Sequence, residues 1–219
     1  MSKPDQGKKY NYADYLTWDE PERWEIIDGV PYMQAAPSRI HQEFLMEISR
    51  QFANYLTNKP CSVYPAPFTV KLSEETILEP DITIVCDENK LKDMGCMGAP
   101  DMVIEILSPS SGRKDNVYKL NKYEQAGVRE YWIVDPNEKY VNVFKLDEKG
   151  KYGRPCSYTE TDKIPTIFQG LKISLSGLQT ITEKIEDLQH LLETLKSDMS
   201  PMNYYVVKKK WEDVKDSIP

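Results

Sequence analysis

Pro100-Asp101-Met102-Val103-Ile104-Glu105-Ile106-Leu107 carries the pattern that decides the fold. Apolar residues lie on both sides of its pleat, as in a central strand covered on both faces, and Glu105 is the exception. A carboxylate taken from water into such a strand is costly unless it is paired or holds a metal, so Glu105 needs a partner. Asp81 opens the preceding apolar segment, Pro80-Asp81-Ile82-Thr83-Ile84-Val85. If the two segments are neighbouring strands, the two acids could chelate one oxygen-loving cation, Mg²⁺ with Mn²⁺ as a substitute. The alternative is that Asp81 caps a turn after proline and Glu105 pairs with Arg or Lys. A second Pro-Asp, at Pro100-Asp101, makes Asp101 a rival ligand, although it reads more simply as the turn that starts the strand.

Outward from this pair the chain alternates strand and helix. Arg113 to Ala126 predicts a helix ended by Gly127, and Glu130 to Asp135 an apolar strand stopped by Pro136, an order that suggests a parallel crossover. Upstream, Asn11 can cap a short helix through Trp18, and Trp24 to Met33 reads as a hairpin turning at Asp28-Gly29. From Ser38 to Leu56 apolar residues recur at spacings of three and four, an amphipathic helix. Ser62 to Leu72 reads as one strand. Tyr140 to Leu146, Lys149 to Ser157 and Leu171 to Leu175 add edge or hairpin strands. The fold class is therefore α/β: a mixed central sheet flanked by the helices Ser38 to Leu56 and Arg113 to Ala126.

After Ser176 a heptad stripe runs from Leu178 to Leu195 behind a Ser176-x-x-Gln179 capping box, which predicts a C-terminal helical extension. Its apolar side must be covered by the core or by a second subunit, and a homodimer is the expectation. We divide the chain into a domain over residues 10–178 and an extension over 179–219.

The 219 residues carry a net charge of -7, with a pI near 5.1 and a mean hydropathy of -0.60. This balance counts against a protein that coats nucleic acid through bulk electrostatics, so any nucleic-acid contact is local. No apolar run approaches the ~20 residues of a membrane span. Met1 to Lys9 lacks the apolar stretch of a secretory signal, which points to the cytoplasm. Cys61, Cys86, Cys96 and Cys156 form no C-x-x-C pair, so zinc is not expected and each reads as a small apolar residue kept reduced. The phosphate loop G-x-x-x-x-G-K-[ST], the dinucleotide fingerprint G-x-G-x-x-G and the nucleophile elbow G-x-S-x-G are all missing from the sequence, which removes support for those chemistries.

The segments Trp24-Glu25-Ile26-Ile27-Asp28-Gly29, Pro80-Asp81-Ile82, Ala99 to Ser110 and Tyr123 to Asp135 resemble the Uma-two family of restriction-endonuclease-like proteins in the PD-(D/E)XK superfamily. The resemblance runs from about Tyr12 to Leu178. It implies a restriction-endonuclease-like fold, a Mg²⁺-dependent endonuclease and a nucleic-acid partner, DNA preferred. Asp81 and Glu105 match the superfamily's acids, with the main-chain carbonyl of Ile106 as the implied third metal ligand. The superfamily's lysine position falls on Leu107, a departure, so either the chain is a catalytically silent binding module or an ammonium arrives from elsewhere. On the helix that follows, Val117, Leu120 and Tyr123 define the buried stripe, and Lys119 lies about 40° from Tyr123. Lys119 is thus expected to run its stem along the apolar face and hold its head at the rim, whereas Lys114 and Lys122 lie farther away. Glu25 and His41 sit in stretches that also resemble the family and complete the candidate site. Ser108, Ser110 and Asp115 read as helix caps.

Overall fold

Asp28 and Gly29 both adopt positive φ, 52° and 78°, the backbone that a two-residue hairpin requires. They join β1 (Trp24–Ile27) to β2 (Val30–Met33), with Glu25 opposite Tyr32. The computed structural model describes residues 7–18, 23–108, 113–176, 189–194, 196 and 199–215, without the side chains of residues 113–117 and 213–215. Most of the heptad stripe, Ser110, and the side chains of Lys114, Asp115 and Val117 lie outside the described residues.

Asn11 and Asp14 form a reciprocal capping box at α1 (Tyr12–Tyr15). Ser38 caps α2 (Arg39–Leu56) through the His41 N–H, and the helix buries Phe44, Leu45, Ile48 and Phe52 along one face. The expected single strand from Ser62 to Leu72 is two strands: β3 (Ser62–Pro65) and β4 (Val70–Ser73) belong to different sheets. Pro65 and Pro67 lie at the break, and a proline, having no N–H, cannot continue a ladder. There follow β5 (Thr76–Leu78), β6 (Ile82–Val85), β7 (Leu91–Lys92), β8 (Gly95–Met97) and β9 (Met102–Ile106). Then come α3 (Arg113–Ala126), β10 (Glu130–Asp135), β11 (Tyr140–Lys145), β12 (Cys156–Thr159), β13 (Lys163–Pro165) and β14 (Lys172–Ser174). Gly127, at φ 87°, ends α3 as expected, with the Val128 N–H returning to the Tyr123 carbonyl.

Two six-stranded sheets form instead of one, in the orders β2-β1-β5-β4-β8-β7 and β12-β11-β10-β9-β6-β3, with β13 and β14 as a separate pair. In the second sheet β9 is central, fully buried, parallel to β10 and antiparallel to β6. The β9-α3-β10 crossover is the one expected from the sequence. Helix α2 packs on β3, β9 and β14, while α3 touches β10 of the second sheet and β4 of the first. Ile27 and Leu78 of the first sheet share one core with Val103, Tyr123 and Tyr131. The described fold is a mixed α/β arrangement, with α3 touching both large sheets.

The cysteine reading is corrected. Cys61 and Cys86 form a disulfide, their Cα atoms 3.9 Å apart. The cause is register: β3 and β6 pair antiparallel with Ser62 opposite Val85, so the next pair outward is Cys61 and Cys86. Cys96 and Cys156 are free.

Residues 1–175 and 176–219 form two separate units. In the second, residues 189–194 are helical and precede the helix Pro201–Lys215. Tyr204 donates to Glu193 at 2.6 Å. Among the described residues no helix is long and apolar enough to cross a membrane.

Candidate active site

Register brings the two sequence-selected acids together. Strands β6 and β9 pair with Ile82 opposite Ile104 and Thr83 opposite Val103, so one step further Asp81 faces Glu105. The Ile106 N–H donates to Asp81 Oδ2 at 2.7 Å. The N–H and C=O of one strand residue point to the same side, which puts the Ile106 carbonyl on the Asp81 side of β9. The rival Asp101 sits at the other end, four residues or about 13 Å along the strand. There it accepts from the Cys86 N–H at 2.8 Å and from Arg129 at 3.2 Å. Its role is the strand-start turn.

Lys119 is not at the rim. It is buried, 8% exposed, and its Nζ donates to Glu25 Oε1 at 2.9 Å and to Glu105 Oε1 at 3.0 Å. Helical geometry placed it at the border of the stripe of α3. Burial follows because α3 lies between the sheets, so that an acid from β1 and an acid from β9 both reach its head. Lys122, by contrast, pairs with the exposed Asp28 at 2.7 Å.

The remaining contacts fix these groups. Tyr123 donates to Glu105 Oε1 at 2.8 Å, and the Glu79 N–H to Glu25 Oε1 at 2.9 Å. His41 Nε2 lies 3.2 Å from Asp81 Oδ1, and its Nδ1 has no partner among the described residues. Glu79 itself accepts from Arg23 at 2.8 Å and Tyr15 at 3.1 Å. Glu79, Arg23 and Tyr123 were not singled out as site residues from the sequence. An acid directly before Pro80-Asp81, at the end of a buried strand, was the available clue for Glu79.

Burial pushes the Glu105 carboxyl up to about 7, with Lys119 and the Tyr123 bond opposing and Asp81 and Glu25 adding to the rise. Burial alone would lower the Lys119 ammonium, but Glu105 and Glu25 outweigh it and hold it well above its usual range. Two carboxylates therefore share one ammonium, and the nearby Asp81 and Glu25 charges add to the effect of burial on Glu105.

Glu25, His41, Asp81, Glu105, Ile106 and Lys119 all border one cavity of about 440 Å³, within the usual size range of ligand sites. Among the described residues no three or more His, Cys, Asp or Glu side chains are set to hold a metal ion. The donors on offer are two carboxylates and a main-chain oxygen. Among the described residues both hydrogen bonds to Glu105 fall on Oε1. An all-oxygen set of this size, carrying excess negative charge, fits a cation such as Mg²⁺ that keeps several waters.

An α/β fold with one acid on each of two neighbouring strands, on the floor of a cavity, is the arrangement of a nuclease-fold protein. Residues 12–176 match the Uma2 family, described as "putative restriction endonuclease", and the chain belongs to that family. It is 23% identical over 171 residues to an uncharacterised protein of Synechocystis sp., covering 76% of this chain and 90% of that one. A crystal structure from Anabaena variabilis, described as a "putative nuclease", superposes with a TM-score of 0.65 at 17% identity. That superposition covers 77% of this chain and 96% of the other.

Proposed function

We propose that the chain is a divalent-metal-dependent endonuclease that hydrolyses phosphodiester bonds, with DNA preferred. The observation that carries this reading is the position of Lys119, whose Nζ lies 2.9 and 3.0 Å from Glu25 and Glu105. It supports a lysine that has moved from the strand position of Leu107 to α3 while keeping its ammonium beside the strand acid. Asp81, Glu105 and the Ile106 carbonyl would hold Mg²⁺ or Mn²⁺, which supplies Lewis-acid stabilisation of phosphoryl charge and a more acidic water.

The chain's own residues do the rest. Lys119 has three N–H donors, two of them engaged by Glu25 and Glu105, and the third can meet a phosphoryl oxygen and stabilise charge that grows in the transition state. Glu25 fixes that ammonium and is itself fixed by the Glu79 N–H. His41 and the Ile106 N–H hold the Asp81 carboxylate in one orientation. Water attacks phosphorus, the P–O bond to the leaving strand breaks, and the leaving oxygen takes up a proton, so no covalent intermediate is required. The heptad stripe supports a homodimer; light scattering before and after removal of residues beyond Gly177 tests it.

Leu107 and the net charge of -7 favour a second reading, a catalytically silent nuclease-fold module acting by binding or assembly. Single-turnover incubation of single- and double-stranded DNA with Mn²⁺ separates the two. The endonuclease reading expects cleavage by the parent and loss on Glu105→Gln, whereas a parent that cleaves no nucleic acid leaves the silent module.

A further inference from the structure

The acids lie on the floor of a cavity whose rim is aromatic. On the floor, Glu25 and His41 are 5% exposed and Glu105 7%, whereas on the lining Tyr32 is 41% exposed, Tyr118 58% and Met33 59%. Tyr32 and Met33 belong to β2 and Tyr118 to α3, so the apolar rim groups come from two different elements. Among the described residues the Lys and Arg of the lining, Arg23 and Lys119, are both already met by carboxylates, Glu79 on one side and Glu25 with Glu105 on the other.

Resting on the hydrolytic reading above, we infer that the substrate is single-stranded nucleic acid, presented one unpaired nucleotide at a time, its base stacked on Tyr118 or Tyr32 while its phosphate descends to Asp81 and Glu105. Two features carry this. To stack on a rim tyrosine a base must leave its own stack and pair, which costs free energy in a duplex and little in a single strand. Duplex binding also draws much of its affinity from cations that neutralise phosphates, and among the described residues the lining Arg and Lys already face carboxylates. Stacking on aromatic rings works without surplus positive charge and tolerates any base.

The test measures fluorescence anisotropy of a fluorescein-labelled ten-nucleotide oligo-dT strand and of a ten-base-pair blunt duplex. Ca²⁺ replaces Mg²⁺, and Mn²⁺ cleavage assays run in parallel. The single strand is expected to bind at least about tenfold tighter than the duplex. Tyr32→Ala with Tyr118→Ala should weaken it by on the order of tenfold, the scale of one lost stacked base, while Tyr32→Phe with Tyr118→Phe binds like the parent. Equal or tighter duplex binding, no binding of either probe, or an alanine double variant that binds like the parent overturns the inference. Tyrosine-dependent single-strand binding without cleavage sustains it and removes the hydrolytic reading. Duplex cleavage without strand preference does the reverse.

Discussion

Replacing Lys119 by Ala should destabilise the fold rather than spare it. The ammonium stands between two carboxylates that are 5% and 7% exposed, at 2.9 and 3.0 Å. Removing one partner of a buried ion pair leaves uncompensated charge and costs about 3–5 kcal/mol. Protonation sets a ceiling on that cost. Glu105 already titrates near 7, above its ordinary 4.5, and losing Lys119 removes the main influence that lowers it. A carboxyl whose folded pKa is raised contributes stability that is full below the unfolded pKa and is lost as pH rises through the folded pKa. In the variant that loss extends to higher pH than in the parent, by about 1.4 kcal/mol for each pH unit. Urea unfolding in EDTA at pH 6.5 and 8.5 should therefore give a larger deficit at pH 8.5, by about 1–2 kcal/mol. Adding Glu105→Gln to Lys119→Ala should recover part of it. A deficit below about 1 kcal/mol, equal at both pH values, would refute the buried bridge. Activity losses of Lys119→Ala are to be read only on protein shown to be folded.

Mg²⁺ or Mn²⁺ should raise the melting temperature of the parent, a gain of about 2.7 kcal/mol at one hundred times Kd. Asp81→Asn and Glu105→Gln should abolish the rise, whereas Asp101→Asn should keep it, since that acid serves Cys86 and Arg129. Thiol titration of denatured, unreduced protein should find two free thiols, Cys96 and Cys156; four would remove the Cys61–Cys86 bond. Reduction of that bond, which closes a separation of 25 residues, should lower stability by about 3 kcal/mol in urea unfolding. Gly127→Ala should cost about 1 kcal/mol, because the site is left-handed at φ 87°; an unchanged urea midpoint would remove the strain.

What could be read from the sequence was local. The apolar periodicity of Arg39–Leu56, the Asp-Gly turn, Gly127 and the double-sided apolar run around Glu105 each declare themselves within a few residues. The adjacency of Asp81 and Glu105 was conditional on strand order and was met by the β6–β9 register. What depended on non-local pairing was missed. The break between β3 and β4 sends neighbouring segments to different sheets, and three-residue strands such as β5 and β8 are too short to show a period. The Cys61–Cys86 bond exists only because β3 and β6 are antiparallel neighbours. The helical wheel found Lys119 but set its head at the rim, because a wheel knows nothing of Glu25 arriving from a second sheet. Glu79 and the rim tyrosines likewise acquire meaning only once the cavity is closed.

The central claim is that Asp81 and Glu105 share a cation beside the Lys119 ammonium, and anomalous diffraction from a crystal soaked in Mn²⁺ tests it most directly. The expected result is a Mn²⁺ peak within about 2.0–2.6 Å of oxygens from both carboxylates, with the Ile106 carbonyl facing it and Lys119 still held by Glu25. A peak beside Asp101, or none on Asp81 and Glu105 at saturating Mn²⁺, would contradict the account.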